Sequence, residues 1–326
     1  MEEKKVEARK LRAYQVGLVI CVIAIIILGV IFYSTYQSQL NQIDSLKSQI
    51  VRKAVAYLRE IAYNPDLRLC REAPRVAPNV YWVVSDNLLA FKALESYDPQ
   101  LASTIRLELV KIGKVFGLPT SRDGVPLSLR YDVLIRDDEM LEMPPRAVTH
   151  ITLHNGSYLL RYDLANGTNR FEDWREYADF LLLVALSNHN RGDHANAISN
   201  FTLAASMWDG IGLRDKAYAK DNAYATYKLG LLLDVSGKLG IRLPFEQDVV
   251  ARVWFMQNQT SGGIFTHMTP DGCRGGSDTN TETTTFVILG VTAIQGWRYA
   301  RAIRATNVAS PFALSNINIK NRSEKL

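Results

Sequence analysis

VGLVICVIAIIILGVIFY, residues Val16 to Tyr33, is the stretch that decides how the rest of the chain must be arranged. Its eighteen residues carry no charge and no strongly polar side chain. At about 1.5 Å of rise per residue, such a helix spans most of a hydrocarbon core about 30 Å thick, and more of it with Tyr14 and Ser34 included. A core helix of that length in a water-soluble domain keeps a polar stripe, and this one has none. A cleaved signal peptide has a shorter apolar region, about 7–15 residues, ending in a small-x-small site. Phe32-Tyr33-Ser34-Thr35-Tyr36 is a poor site of that kind. Residues 14–34 are therefore expected to form a transmembrane helix with the lipid bilayer as its partner.

The flanks set the orientation. Lys4, Lys5, Arg9, Lys10 and Arg12 precede the span, whereas the first basic residue after it is Lys47. Lys and Arg stay on the cytoplasmic side, and Glu2, Glu3 and Glu7 count for little. Residues 1–13 are expected to be a cytoplasmic basic tail, which makes the protein single-pass in the cell membrane with its C-terminal domain extracellular. Five Asn-x-Ser/Thr sequons, at Asn155, Asn166, Asn200, Asn258 and Asn321, all follow the span and are glycosylation candidates in that compartment. Of the three cysteines, Cys21 lies in the span, leaving Cys70 and Cys273 outside. In an oxidising compartment that pair is a disulfide candidate, the alternative being two unrelated buried thiols.

The 326 residues allow one large domain or two small ones, and 47% hydrophobic with 22% charged content is ordinary for a globular protein. The net charge of +5 is spread along the chain. Nucleic-acid binders concentrate Lys and Arg on one face, so no nucleic-acid partner is expected. Past the membrane, Leu40, Ile43, Leu46, Ile50, Ala54, Tyr57 and Ile61 recur at helical steps and predict a stalk over 35–62 that runs into the domain. Such a stalk offers a face for homo-oligomerisation, although it is too short for a sustained coiled coil. Asn64-Pro65-Asp66 breaks it.

Residues 63–309 then read mainly as helical hairpins. The pairs are Asp86–Tyr97 with Pro99–Val115, Glu172–His189 with Asp193–Trp208, Asn222–Ser236 with Pro244–Gln257, and Thr279–Ala293 with Gln295–Ala305. Between the first two, residues 126–168 form a β insertion. Pro126–Arg136 and Thr149–Leu164 alternate apolar and polar residues, with turn signals at His154-Asn155-Gly156 and Ala165-Asn166-Gly167. Residues 310–326 are polar and expected to be a disordered tail.

Two motifs carry a family resemblance. Gln257-Asn258-Gln259-Thr260-Ser261-Gly262-Gly263-Ile264-Phe265 resembles the glutamine-to-Gly-Gly-aromatic turn of terpenoid-cyclase-like repeats. Tyr81-Trp82-Val83-Val84-Ser85-Asp86-Asn87 resembles an acid-bearing loop entering a helix in six-hairpin glycosidases. The similarity covers roughly Tyr81 to Tyr299 outside the β insertion. It implies a mainly α protein: an N-terminal transmembrane helix, then an incomplete α/α toroid of about four and a half antiparallel hairpins, where a complete one has six. The layout is similar to that of a membrane-anchored archaeal ectodomain.

A toroid would gather four loops at one rim. They hold Tyr81, Trp82, Asp86 and Asn87; Trp208, Asp209, Gly210, Gly212 and Asp215; Tyr227 and Lys228; and Gly275, Gly276, Asp278, Asn280 and Glu282. Inverting glycoside hydrolysis needs an acid and a base with carboxyl groups about 6.5–9.5 Å apart. Asp86 and Asp278 are the expected pair, with Asp209 and Glu282 next. Trp82 and Trp208 would stack on the sugar, and Tyr81, Asn87, Tyr227, Lys228 and Asn280 would contact it. Each acid also has a structural reading: Asp86, Asp221 and Asp278 suit helix N-caps, and Thr279 with Glu282 has capping-box spacing. Glycine beside so many acids is what capping leaves unexplained.

His267, Cys273 and Asp278 superficially resemble the zinc set of prenyltransferase toroids, but order and spacing differ, so neither metal nor cofactor is expected. Phosphate loops, dinucleotide turns, nucleophile elbows and zinc-protease helices are absent from the sequence. Three readings follow: a glycan-active hydrolase, a non-catalytic ectodomain binding a surface glycan or protein, and a cell-envelope scaffold.

Overall fold

The computed structural model describes residues 2–126, 145–155, 158–170, 172–276 and 278–308, with side chains over 22–126, 158–162, 172–276 and 278–295. The chain forms two units, Met1–Ser48 and Gln49–Leu326. Helix α1 (Glu2–Tyr57) supplies the described part of the first and opens the second. Among the described residues it is the one helix long and apolar enough to cross a membrane. Its apolar side chains face outward: Ile25 is 69% exposed, Leu28 65% and Phe32 77%. A core helix would have buried them, whereas a bilayer accepts them.

In the second unit the last turns of α1 are core. Ile50, Ala54 and Tyr57 are buried, as the stalk periodicity predicts, whereas Ile61, expected on the same face, is 37% exposed. A π-helical turn (Leu58–Ala62) leads to strand β1 (Tyr63–Asn64), which pairs antiparallel with β2 (Leu69–Cys70). The turn between them is the expected break, and Asn64 Oδ1 accepts from the Asp66 N–H at 3.0 Å.

Strand β3 (Val80–Trp82) precedes helices α2 (Asn87–Leu94) and α3 (Pro99–Phe116). After strands β4 (Pro145–Asn155) and β5 (Tyr158–Arg170) come α4 (Ala178–Asn190), α5 (His194–Ala205) and the short α6 (Lys216–Asp221). Strand β6 (Tyr224–Ala225), α7 (Tyr227–Leu239) and α8 (Glu246–Met256) follow. Strands β7 (Ile264–Phe265), β8 (His267–Met268) and β9 (Thr279–Asn280) lead into α9 (Thr281–Val308). The helices alternate in character. α2, α4 and α7 are buried nearly all round, while α3, α5 and α8 bury one stripe, such as Ala102, Ile105, Leu109 and Ile112 of α3. A helix apolar on every side must be surrounded by others, so the first set is inner and the second outer. Within hairpins α2 packs on α3 and α4 on α5; among inner helices α4 packs on α7, α7 on α9, and α9 on α2.

The α7–α9 contact is the tightest. A Cβ on Gly290 would lie 2.1 Å from the Gly230 carbonyl oxygen, and one on Gly230 would lie 2.5 Å from the Phe286 carbonyl carbon. Gly237 repeats the contact one heptad on, against Ala293 at 2.6 Å. Only glycine lets two helix backbones meet there.

Two expectations need correction. The fourth hairpin does not form: α9 runs unbroken through Ala293 and Gln295, with only Ile294 between them to make a turn. Asn166-Gly167 lies inside β5 and is no turn; β4 and β5 pair antiparallel, with Asn155 opposite Tyr158. The insertion also joins the body, since β5 pairs in parallel with β3, Trp82 beside Arg161. The expected strand Pro126–Arg136 beyond Pro126 and the tail 310–326 lie outside the described residues.

Gly290→Ala should destabilise the domain by about 1–3 kcal/mol through overpacking, outweighing a helix-propensity gain of about 1 kcal/mol. Gly276→Ala, where a Cβ meets nothing within 4 Å, serves as control. Thermal unfolding followed by circular dichroism would reveal the difference, and equal midpoints would refute the contact.

Candidate functional site

Asp86 closes the loop after β3 and stands at the start of α2, but its side chain does not cap the helix. It is 2% exposed, its Oδ1 accepts from Ser85 Oγ at 3.3 Å, and among the described residues its Oδ2 meets no hydrogen-bonding group. Burial first, then the charges of Glu282 and Glu72, raise its carboxyl well above the ordinary aspartate range. The capping role expected of Asp86 therefore falls, and what remains is a buried acid whose proton is held more tightly than usual.

Backbone contacts explain why those acids converge. The segment Arg71–Asn79, which links β2 to β3, lies against the start of α9. Thr281 N–H donates to the Glu72 carbonyl at 3.0 Å, and Thr281 Oγ1 donates to that of Arg71. Glu282 follows directly. Asp278 sits just upstream with both oxygens engaged by backbone, Oδ2 by Arg75 N–H at 3.2 Å and Oδ1 by Thr279 N–H at 2.8 Å. Asn280, not Asp278 or a Thr279–Glu282 box, caps α9, its Oδ1 accepting from Thr283 N–H at 2.9 Å.

The aromatic side of this region is Trp82, half-buried, with the Arg161 guanidinium 5.6 Å from its ring centre. Arg161 also faces Glu72 at 4.0 Å. Arg161 escaped the sequence reading because only the parallel β3–β5 register brings it to Trp82, and Glu72 because it is placed only through Arg161. Tyr81 and Asn87 are interior. Tyr81 is hydrogen-bonded by Asn64, and Asn87 staples β2 through the Cys70 N–H and carbonyl. Neither is placed to contact a ligand.

The other candidate loops are occupied by their own residues. Asp209 receives the Tyr224 hydroxyl and the Ile211 and Gly212 N–H groups, and those bonds hold its carboxyl below the usual range despite partial burial. Trp208 stacks on Phe245, centroids 5.3 Å apart. Gly210 has φ +97°, required by that turn, and Gly212 packs on the Tyr224 ring, which accounts for the glycines beside this acid. Asp221 ends α6 and caps nothing; Asp215 caps it instead, accepting from Tyr218 N–H at 3.1 Å.

Lys228 is buried in an ion cluster. Its ammonium bonds Asp215 Oδ2 and lies 3.6 Å from Asp179 Oδ1, while the Tyr227 hydroxyl donates to Asp179 Oδ2 at 2.6 Å. Asp215 Oδ2 also accepts from Ala178 N–H at 2.9 Å, so one carboxylate joins α4, α6 and α7. The sequence signal for Asp179 was an acid inside the apolar run Ala178–Leu186. Here Tyr227 and Lys228 serve the fold.

Gln257, the head of the turn that carries the resemblance, is fully buried and donates to the Ile50 carbonyl of α1 at 3.0 Å and to Gly262 at 2.8 Å. Gly262, at φ +84°, and Gly263 press on Lys53 and Tyr57. That turn clamps the end of α1. Among the described residues no group of three or more His, Cys, Asp or Glu side chains is placed to hold a metal ion.

The chain matches no family model, no curated protein and no solved structure.

The disulfide expectation is also corrected. Cys70 and Cys273 are both free: Cys70 is buried under Asn87, and Cys273 is exposed beside Asp271. Of the sequons, Asn200 and Asn258 are half-buried; the side chains of Asn155 and Asn166, and all of Asn321, lie outside the described residues. A maleimide should label Cys273 in the native protein and Cys70 only after denaturation, since burial both hides that thiol and pushes its pKa up. Mass spectrometry of the labelled peptides checks this, and equal native labelling would contradict the burial of Cys70.

Proposed function

We propose that the protein is a single-pass membrane protein whose C-terminal domain, an incomplete α/α toroid, lies outside the cell and binds a surface glycan without cleaving it. The inner–outer alternation of helices and the arc α4–α7–α9–α2 support the toroid. The basic tail before the span supports the orientation.

The observation that carries the binding reading is the Trp82–Arg161–Glu72 group: a half-buried indole beside a guanidinium and a carboxylate at the surface. Sugars are held by an aromatic face for their C–H side and by such polar groups for their hydroxyls. Catalysis is less well supported, because Asp278 spends both oxygens on neighbouring backbone and Asp209 spends its own on backbone and the Tyr224 hydroxyl. One observation favours hydrolysis as a second reading: burial, then the charge of Glu282, raises the Asp86 carboxyl, the direction a general acid needs.

Full-length protein in detergent should be retained by glycan arrays or immobilised polysaccharide. Trp82→Ala should weaken retention about tenfold, the equivalent of about 1.4 kcal/mol. Asp86→Asn should bind as well as wild type, and no reducing ends should appear. Absent binding, or indifference to Trp82→Ala, would overturn the proposal; reducing ends lost in Asp86→Asn would establish hydrolysis. An impermeant maleimide should reach Cys273 from the outer face of sealed membranes; labelling only from the cytoplasmic face would reverse the topology.

A further inference from the structure

We propose that Asn258 is an N-glycosylation site and that Asn200, which carries the same sequence signal, is not. The inference rests on the extracellular placement proposed above and is independent of the glycan-binding reading. What separates the two asparagines is how the fold holds each acceptor amide.

The acceptor signal joins an asparagine amide to a hydroxyl two residues on, so both groups must face one enzyme at once. The turn after α8 brings them together. Asn258 Oδ1 accepts from the N–H groups of Thr260 and Ser261, each at 3.0 Å. This closes an Asx turn, in which the side-chain oxygen takes the place of a backbone carbonyl. The Asn258 N–H donates to the Gly263 carbonyl and its own carbonyl accepts from Gly262 N–H, both at 2.8 Å, so the residue is fixed from two sides. With Oδ1 held inward, the nitrogen on the same amide carbon is turned away from the turn. Nδ2 donates to no described residue, yet it is not among the buried polar atoms left without a partner, so it reaches solvent. Gln259 and Thr260 are exposed, and the Thr260 hydroxyl makes no hydrogen bond among the described residues.

Asn200 is held differently. It lies inside α5, with helical residues on both sides. At about 100° per residue, its side chain and that of Thr202 leave the helix about 200° apart, on opposite faces. No transferase meets both groups there unless the helix unwinds. Ala197, Phe201 and Ala204 are buried on that same helix, and unwinding it would pull them from the core.

The transfer forms a bond from Asn258 Nδ2 to C1 of a sugar carried on a lipid phosphate. It breaks the C1–O bond to that phosphate, the lipid phosphate leaves, and one Nδ2 proton passes to a base of the transferase. Oδ1 takes no part, so both of its hydrogen bonds survive the modification. The turn that grips α1 through Gln257 therefore carries a bulky, solubilising group without being loosened.

The test is peptide mapping by mass spectrometry of the full chain, purified from the cells that naturally make it. The Asn258 peptide should carry a glycan and the Asn200 peptide none. Thr260→Ala leaves the Asn258 amide and the Thr260 N–H in place, and it should abolish the Asn258 glycan. Thr260→Ser should keep that glycan, and Thr202→Ala should change nothing. A bare Asn258 in the wild-type chain overturns the site, as does a glycan that survives Thr260→Ala. A glycan on Asn200 overturns the distinction between the two. Placement is read separately by the impermeant maleimide on Cys273. Labelling from the outer face with a bare Asn258 sinks the site alone, whereas labelling only from the cytoplasmic face with a bare Asn258 sinks the placement as well. If Thr260→Ala fails to fold, the wild-type and Thr260→Ser maps decide.

Discussion

The second unit depends on the closeness of α7 and α9, which meet where Gly290 and Gly230 leave no room for a methyl group. Because α9 is pinned there, its first turn becomes a fixed post to which separate segments attach. Thr281 takes the Arg71–Glu72 carbonyls, Thr284 Oγ1 accepts the Ile264 N–H, and the Thr279 carbonyl accepts the Tyr57 hydroxyl. Thr281, Thr283, Thr284 and Thr285 are buried. The Thr281 hydroxyl donates to the Arg71 carbonyl, that of Thr284 to Asn280 and that of Thr285 to Glu282, in keeping with the rule that buried polar groups find partners. Loosening the glycine contact would therefore disturb the end of α1, the Gln257 turn and the segment before β3 together.

Two buried acid settings in this domain are handled in opposite ways. Asp215 and Asp179 face an ammonium, and Asp215 takes two backbone N–H groups as well. An ion cluster so furnished is tolerable in a low dielectric, and removing Lys228 would leave two uncompensated charges. Asp86 has none of that support. Its Oδ2 finds no hydrogen-bond partner among the described residues, and burial with the charges of Glu282 and Glu72 raises its carboxyl well above the ordinary range. The first arrangement holds α4, α6 and α7 in register.

Local signals carried most of the helices. Asp98-Pro99 stands at the start of α3, Arg191-Gly192 between α4 and α5 and Gly240 at the end of α7, because caps and turns are short-range chemistry. The periodicity of Ile50, Ala54 and Tyr57 correctly put the end of the first helix into the core. What stayed hidden depends on residues far apart in the chain. The parallel pairing of Trp82 with Arg161 spans a long insertion and has no local signature. The role of Gly230 and Gly290 is equally non-local, since a glycine inside a helical pattern reads only as a weak spot. Asp86 was legible as unusual, but as a cap; that it lacks a partner emerges only when Glu72 and Glu282 are brought around it.

The glycine-beside-acid pattern misled for a physical reason. Glycine is used wherever backbone must approach something closely, and a side chain of the same protein is as good a reason as a ligand. Gly212 approaches Tyr224 and Gly262 approaches Lys53, so in those two loops the glycines serve internal packing. The motif that carried the family resemblance behaves the same way, for Gln257 and Gly262 are engaged in gripping α1. Resemblance at that turn therefore speaks to how a helix is anchored and is silent on chemistry, which is the general separation of fold from function. The Arg161 guanidinium over Trp82 and beside Glu72 owes nothing to that turn, since it is the parallel β3–β5 pairing that sets Arg161 beside Trp82.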